Sequence, residues 1–266
     1  VVYRQTQRYV RSIQPSDGTR STTPWNQGGV YLITGGTGGI GRQLAFRLAR
    51  DFAAHLIITG RTSLPSSKEW NAYIESQPES DVASKIRFLR ELTEAGAASV
   101  IYAAGDIADR SHVADIFSHI DQHFGRLDGV LHAAGNLDRK NLALRTKSRE
   151  SIDEVFRPKI AGSLLLAEFA ARFNPQQFVL FSSIATLSGE LGASESDYAA
   201  ACRFMNHLAW SLRRRGIRSA QSVLLAEWGT TGILATAEVG PAVRRLGLMP
   251  LSDTDALAAF EAVLGL

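Results

Sequence analysis

The chain has 266 residues, 45% hydrophobic content and a single cysteine, Cys202. That length can bury a full core and suits one large domain, or one domain with a short appendage. The net charge of +3, with both signs mixed along the chain, argues against nucleic-acid binding. One thiol excludes an intrachain disulfide and Cys-rich zinc sites, and the longest apolar runs fall far short of the ~20 residues that span a bilayer.

Residues 1–13 alternate apolar and polar side chains, the pattern of a strand or a small hairpin, and residues 14–26 read as a linker holding Pro15, Gly18 and Pro24. Residues 1–28 lack the basic-then-apolar order of a secretory signal, so a soluble, cytoplasmic protein without membrane association is expected. From Gly29 short apolar runs alternate with longer helical segments. The runs at 30–34, 55–59, 99–103, 129–132, 178–182 and 219–225 predict strands. Helices are expected at about 39–51, 82–95, 111–123, 148–172, 198–215 and 254–264, with Leu44, Leu48 and Phe52 marking the apolar face of the first. This predicts an α/β, Rossmann-like, doubly wound parallel sheet with helices on both faces. Residues 62–81, with Pro65, Pro78 and Trp70, interrupt the rhythm as an excursion that contains a short helix around 68–75. Residues 1–27 and 28–266 are the expected divisions.

The first apolar run passes through Thr34-Gly35-Gly36-Thr37-Gly38-Gly39-Ile40-Gly41 directly into a helix. Glycine permits positive φ and close approach of a pyrophosphate to the free N–H groups of the helix start, so the turn predicts dinucleotide binding. At the end of the second run stands Arg61, where an NAD-binding protein would place an acidic residue. A cation there suits a 2′-phosphate and hence NADP. Arg42 either adds to that phosphate site or is an exposed helix residue. Asp106 and Ile107 follow the third run, and His132-Ala133-Ala134-Gly135 follows the fourth, all at the edge where such sheets bind ligands.

The fifth run ends in Ser182-Ser183, and Tyr198 opens the next helix. Ketone reduction needs a hydride at carbon and a proton at oxygen, and a phenol of pKa ~10 delivers that proton at neutral pH only if a nearby cation stabilises the phenolate. The glycine turn and the Ser and Tyr pair resemble the short-chain dehydrogenase/reductase superfamily. That family usually has Lys four residues after the tyrosine, whereas here the residue is Cys202. The departure resembles the ketoreductase domain of modular polyketide synthases and animal-type fatty acid synthases, in which the lysine comes from the preceding long helix and Asn stands where Cys202 is. Arg157-Pro158-Lys159-Ile160-Ala161-Gly162 is similar to that lysine motif. The resemblance implies Tyr198 as acid, Ser183 (with Ser182 as the alternative) orienting the carbonyl, Lys159 stabilising the phenolate and contacting the ribose, and Cys202 in the usual Asn place.

It further implies an NADPH-dependent reductase acting on a ketoacyl group, at the β-carbon or, as the alternative, at the α-carbon in a related assembly line, carried on the phosphopantetheine of an acyl carrier protein within a polyketide synthase. Residues 1–27 resemble the end of the structural half that precedes the catalytic half. Trp228 and Gly229 resemble the segment over the nicotinamide, and residues 248–251 the lid edge. The Ser183 to Tyr198 interval is two residues longer than is usual, and a seventh edge strand would normally follow the last helix. Leu137-Asp138-Arg139 matches part of the Leu-Asp-Asp fingerprint for D-configured alcohols, with Leu137 either near substrate or packing. No Trp lies between Ser183 and Tyr198, and the D class is the expectation. The competing readings are a domain that has lost its chemistry and serves in docking, motivated by Cys202, and a free-standing alcohol dehydrogenase, against which the displaced lysine argues.

His112, His119 and His123 share a predicted helix without a converging ligand set, so a solvated face is expected and no metal. Arg213, Arg214, Arg215 and Arg218 form a solvated helix end that also suits docking of an acidic carrier protein. Trp210 is expected to pack on its helix.

Overall fold

In the computed structural model, which describes residues 2–10, 12, 14, 23–138, 144–187, 192, 195–226, 228, 247 and 249–265, the six apolar runs become one parallel sheet. Its strands are β3 (Val30–Thr34), β4 (His55–Gly60), β5 (Ser99–Ala104), β6 (Gly129–His132), β7 (Gln177–Ser183) and β8 (Ala220–Leu225), in the spatial order β5-β4-β3-β6-β7-β8. The order reverses between β3 and β6, the switch point at which doubly wound sheets bind ligands. Register aligns the carboxyl ends there: Thr34 lies opposite both Thr59 and His132. Ahead of this sheet, β1 (Val2–Arg4) and β2 (Gln7–Tyr9) pair as a separate antiparallel hairpin.

Strands buried on both faces read as unbroken apolar runs, and their alternation supplies two cores. Leu32, Ile57, Phe178 and Leu180 face α4 (Arg110–Phe124), α6 (Ser163–Ala170) and α7 (Ser196–Arg214), where Phe117, Leu166 and Met205 meet them. Ile33, Leu131, Val179 and Phe181 face α1 (Gly39–Phe52), α3 (Asp81–Glu94) and α8 (Asp253–Leu264), against Leu44, Leu48, Phe88 and Phe260. The excursion holds a 3-10 turn at Ser67–Glu69 and α2 (Trp70–Ser76), tied by Trp70 Nε1 donating to the Pro65 carbonyl at 3.0 Å.

Three expectations are corrected. The segment 148–172 is not one helix: α5 (Arg149–Phe156) passes into a π turn at Arg157–Gly162 and only then into α6. Pro158 causes the break, since it has no N–H to give to the preceding turn and its ring crowds that turn's carbonyl. Trp25, placed in a polar linker, is a core residue. It is 3% exposed, meets Tyr31 edge-on at 5.6 Å, stacks on Phe260 at 6.4 Å and donates Nε1 to Glu261 Oε1 at 2.8 Å. Trp210, expected to pack, is 53% exposed with the Arg214 guanidinium over its ring. Among the described residues no helix is long and apolar enough to cross a membrane.

Trp25→Ala removes a buried indole that joins the segment before β3 to α8. Urea unfolding should show a loss of about 3–5 kcal/mol, the usual cost of deleting a large core aromatic.

Candidate active site

The carboxyl ends of β3, β4, β6 and β7 open onto one cleft of about 840 Å³, within the range of sites that hold cofactors and small substrates. Each residue expected at a dinucleotide borders it: Thr34, Gly35, Thr37, Gly38, Gly39, Ile40 and Gly41 from the turn, Arg61, Asp106 and Ile107 from the β4 and β5 ends, Ala133, Ala134 and Gly135 after β6, and Lys159 and Tyr198. Two glycines are sterically required. Gly35 has φ +67° and a Cβ there would meet the Ala134 backbone at 3.0 Å, while a Cβ on Gly41 would sit 2.6 Å from the Gly35 carbonyl. The bare turn lets α1 start at the cleft with no side-chain cap and no acidic residue in its first turn. Its N–H groups and dipole thus suit an anionic pyrophosphate, and the residues fit a dinucleotide.

Thr34 itself is fully buried. Its Oγ1 accepts from Ala134 N at 3.1 Å and meets His132 Nδ1 at 2.7 Å, so its side chain braces strand ends rather than facing the cleft. Arg61 is exposed at the rim, joined by Lys85 and Arg157, which sequence reasoning missed. Asp106 accepts from Arg157 Nη2 at 2.9 Å. Burial raises its carboxyl pKa, but the Ala108 amide, Arg157 and Arg61 outweigh burial and hold it below the usual range. Arg42 takes the surface alternative: it pairs with Glu91 Oε2 at 3.2 Å and covers the Phe88 ring at 4.2 Å.

Beyond the turn lie the groups expected to do chemistry. Lys159 is 3% exposed; its Nζ donates to the Phe181 carbonyl at 3.2 Å and stands 4.9 Å from the centroid of the Tyr198 ring. Gly135 makes room for it, since a Cβ there would come 3.0 Å from Lys159 Cε. Burial pushes the Lys159 ammonium below its ordinary pKa, against an opposing effect of Cys202. Burial also pushes the Tyr198 phenol well up, helped by Cys202 and Glu195. Cys202 is fully buried one turn beyond Tyr198 on α7.

The two serines separate by their partners. Ser182 Oγ donates to the Cys202 carbonyl at 3.3 Å, which occupies its proton, whereas Ser183 Oγ accepts from Ala185 N at 3.1 Å and keeps its proton to give. Both border the cleft.

Beside Tyr198, Asp197 and Lys147 form a buried ion pair at 2.7 Å, with side chains 1% and 0% exposed. Nothing in the sequence joined these residues, which come from separate elements. Trp228 borders the cleft, is 4% exposed and donates Nε1 to Gln43 Oε1 at 3.2 Å. Leu137, a candidate substrate contact, packs against the α4-side core and does not border the cleft. Gly229, Arg139 and most of residues 188–194 lie outside the described residues, as does Leu248. His112, expected on a solvated face, turns inward, its Nε2 at 2.9 Å from Thr59 Oγ1.

A glycine turn entering α1, with Ser183, Tyr198 and Lys159 on the same cleft, is the arrangement against which known proteins can be set. The family model described as KR domain matches residues 29–230. The chain belongs to the KR domain family. Polyketide synthase PksL of Bacillus subtilis is 31% identical over 270 residues, covering 99% of this chain and 6% of that protein. The spectinabilin polyketide synthase system protein NorB of Streptomyces orinoci is 35% identical over 245 residues, 90% of this chain and 10% of its own length. The KR chain thus spans a small part of the curated relatives it matches. A solved ketoreductase domain from the bacillaene assembly line superposes with a TM-score of 0.75 at 30% identity, covering 91% of this chain and 55% of that one. This KR domain is accordingly an oxidoreductase domain of the short-chain dehydrogenase/reductase type, a type that uses a nicotinamide cofactor.

His132 gives this KR domain a defined acid response. Burial and the neighbouring Lys159 hold its imidazole down to a pKa of about 3 in the folded chain, whereas an unfolded histidine titrates near 6.5. Between these values the unfolded chain binds the extra proton, so folding stability is lost as pH falls. Urea unfolding should show a slope from this group that grows from about 0.7 kcal/mol per pH unit at pH 6.5 toward about 1.4 near pH 5, and His132→Gln should remove that component.

Proposed function

We propose that this chain reduces the β-ketone of an acyl thioester tethered to an acyl carrier protein, using NADPH within a cytoplasmic polyketide synthase. The observation that carries the reading is the buried Lys159 ammonium set 4.9 Å from the Tyr198 ring centroid in the same cleft as the glycine turn. NADPH, when bound, supplies the hydride to the carbonyl carbon. Ser183, whose proton is uncommitted, donates to the carbonyl oxygen and orients it. Tyr198 passes its phenolic proton to that oxygen. The phenolate left behind faces a fixed ammonium in a poorly solvated cleft, where the attraction is much stronger than in water. Burial raises the phenol's pKa, so it stays protonated until transfer, and Lys159 stabilises only the charge that develops afterward.

For the cofactor, the exposed Arg61 at the cleft rim supports a 2′-phosphate, while Lys85 and Arg157 beside it pair with Asp81 and Asp106. Residues 28–266 act as the catalytic domain on this reading, and residues 1–27 are the end of a structural subdomain. The limited share of the relatives' length that the chain spans supports a place among other synthase domains, and the argininyl end of α7 suits an acidic carrier protein. The stereochemical expectation remains a D-configured alcohol.

Purified protein mixed with NADPH and a β-ketoacyl thioester surrogate should consume absorbance at the reduced-nicotinamide band. Tyr198→Phe should lower kcat at least a hundredfold with NADPH binding kept. Absence of both turnover and NADPH binding in the unaltered chain rejects the reading. Arg61→Ala should weaken NADPH about tenfold and leave NADH within twofold, read by cofactor fluorescence; equal losses would remove the 2′-phosphate role.

Cys202 motivates one second reading, a domain whose chemistry has decayed, because a thiol is a weaker hydrogen-bonding group than the amide usual there. Cys202→Asn decides between them by kcat. A change of a few fold shows a working site, and a rise from near zero shows a decayed one.

A further inference from the structure

We infer that His132 is a positioning residue for Lys159: its imidazole ties the Pro158 carbonyl of the π turn to Thr34 at the start of the phosphate-binding turn. This rests on the role proposed above for Lys159.

Three hydrogen bonds run in one direction. The Ala134 N–H donates to Thr34 Oγ1 at 3.1 Å, Thr34 Oγ1 meets His132 Nδ1 at 2.7 Å, and His132 Nε2 meets the Pro158 carbonyl at 2.9 Å. A carbonyl can only accept, so Nε2 must carry the ring proton and Nδ1 must be the acceptor. Thr34 therefore donates to Nδ1, and its lone pair remains for Ala134. Each group in the chain is satisfied, and both Thr34 and His132 are fully buried, where a lost partner is costly.

The carbonyl at the end of this chain belongs to the residue just before Lys159. Lys159 lies in the π turn Arg157–Gly162, which holds one more residue per turn than the flanking helices. Relaxation by one residue into α register would rotate the following side chain by about 100° about the helix axis, and would carry the amine away from Tyr198. An anchor on the Pro158 carbonyl opposes that rotation from β6. The π turn is also pressed onto the sheet at its other end. A Cβ on Gly162 would meet Ile107 Cγ2 at 2.8 Å and His132 Cε1 at 3.6 Å. The lysine is thus held at its tip by the Phe181 carbonyl on β7 and at its base through His132 on β6.

The amides of Asn and Gln divide the two imidazole contacts. The shorter Asn amide reaches the position of Nδ1, so His132→Asn keeps a partner for Thr34 and releases Pro158, while the longer Gln amide reaches the position of Nε2, so His132→Gln keeps a donor for Pro158. The experiment measures kcat, NADPH dissociation constant and the pH profile of kcat for the full chain and its variants. His132→Asn should lower kcat ten- to a hundredfold, weaken NADPH binding no more than Lys159→Ala does and move the alkaline limb of the profile, and His132→Gln should recover most of the rate. In a Lys159→Ala background, His132→Asn should change the residual rate less than twofold. A further proportional loss there, or a loss of NADPH affinity larger than that of Lys159→Ala, shows a merely structural histidine and overturns the proposal.

If Lys159→Ala is itself as active as the unaltered chain, the reading of the lysine falls and the positioning role with it. If Lys159→Ala is impaired while His132→Asn is not, only the positioning role falls. Should the Asn variant not fold, nitrogen-15 imidazole spectra of the unaltered protein decide instead. A neutral ring protonated at Nε2 is expected, and an Nδ1-protonated or doubly protonated ring overturns the proposal.

Discussion

A buried ammonium is the constraint around which this cleft is arranged. Lys159 is 3% exposed, and removing a cation from water is costly unless the surrounding groups are placed to receive it. Here they are a strand carbonyl at 3.2 Å and the face of an aromatic ring at 4.9 Å. Both are weaker partners than a carboxylate, which would hold the ammonium's pKa up and spend its field on a permanent ion pair. Burial instead holds the pKa down. What the fold fixes is the position of the amine, through the π turn, the space that Gly135 leaves and the end of β7.

The parallel sheet makes this placement possible. Because the six strands run in one direction, the turns after β3, β4, β5, β6 and β7 emerge on one edge, and the order reversal between β3 and β6 opens the cleft there. The glycine turn, Arg61 and the Ser183, Tyr198 and Lys159 groups then need no contact in sequence to share a cavity. The same alignment brings Thr34 opposite His132, so the brace between the turn and the lysine follows from strand register.

This explains what could be read in advance. The six strands were legible within two residues at each end because the central ones, β3, β6 and β7, are buried on both faces and appear as short apolar runs, and the edge strands β5 and β8 keep the same short length between helical segments. The glycine turn was legible because few residues tolerate its geometry. Lys159 could be named only through a family resemblance, since no spacing rule links it to Tyr198. The break at Pro158 was available to a stricter reading, as a proline within a helical pattern signals a stop or kink. The Lys147 and Asp197 pair, the His132 brace and the burial of Trp25 depend on tertiary contacts between distant segments, for which local composition carries no signal. Trp25 even sits in a run whose prolines, serines and glycine point the other way.

Cys202 brings the opposing influences on Tyr198 into one place. Burial, with Cys202 on the following turn of α7 and Glu195, raises the phenol's pKa. On the proposed reading Lys159 lies on the opposite side of the balance, because an ammonium near the ring favours the phenolate. A proton donor needs both influences in sequence: enough opposition to ionisation that the proton is present when substrate arrives, and enough stabilisation of the anion that its transfer is not prohibitive. Groups that oppose ionisation act before transfer and those that stabilise the anion act during it, so only the latter lower the barrier. On the proposed reading, replacing an amide by a thiol strengthens the first influence without adding to the second. The rate this domain sustains is then set by how rigidly the lysine is held at the phenol, more than by the acidity of the phenol alone.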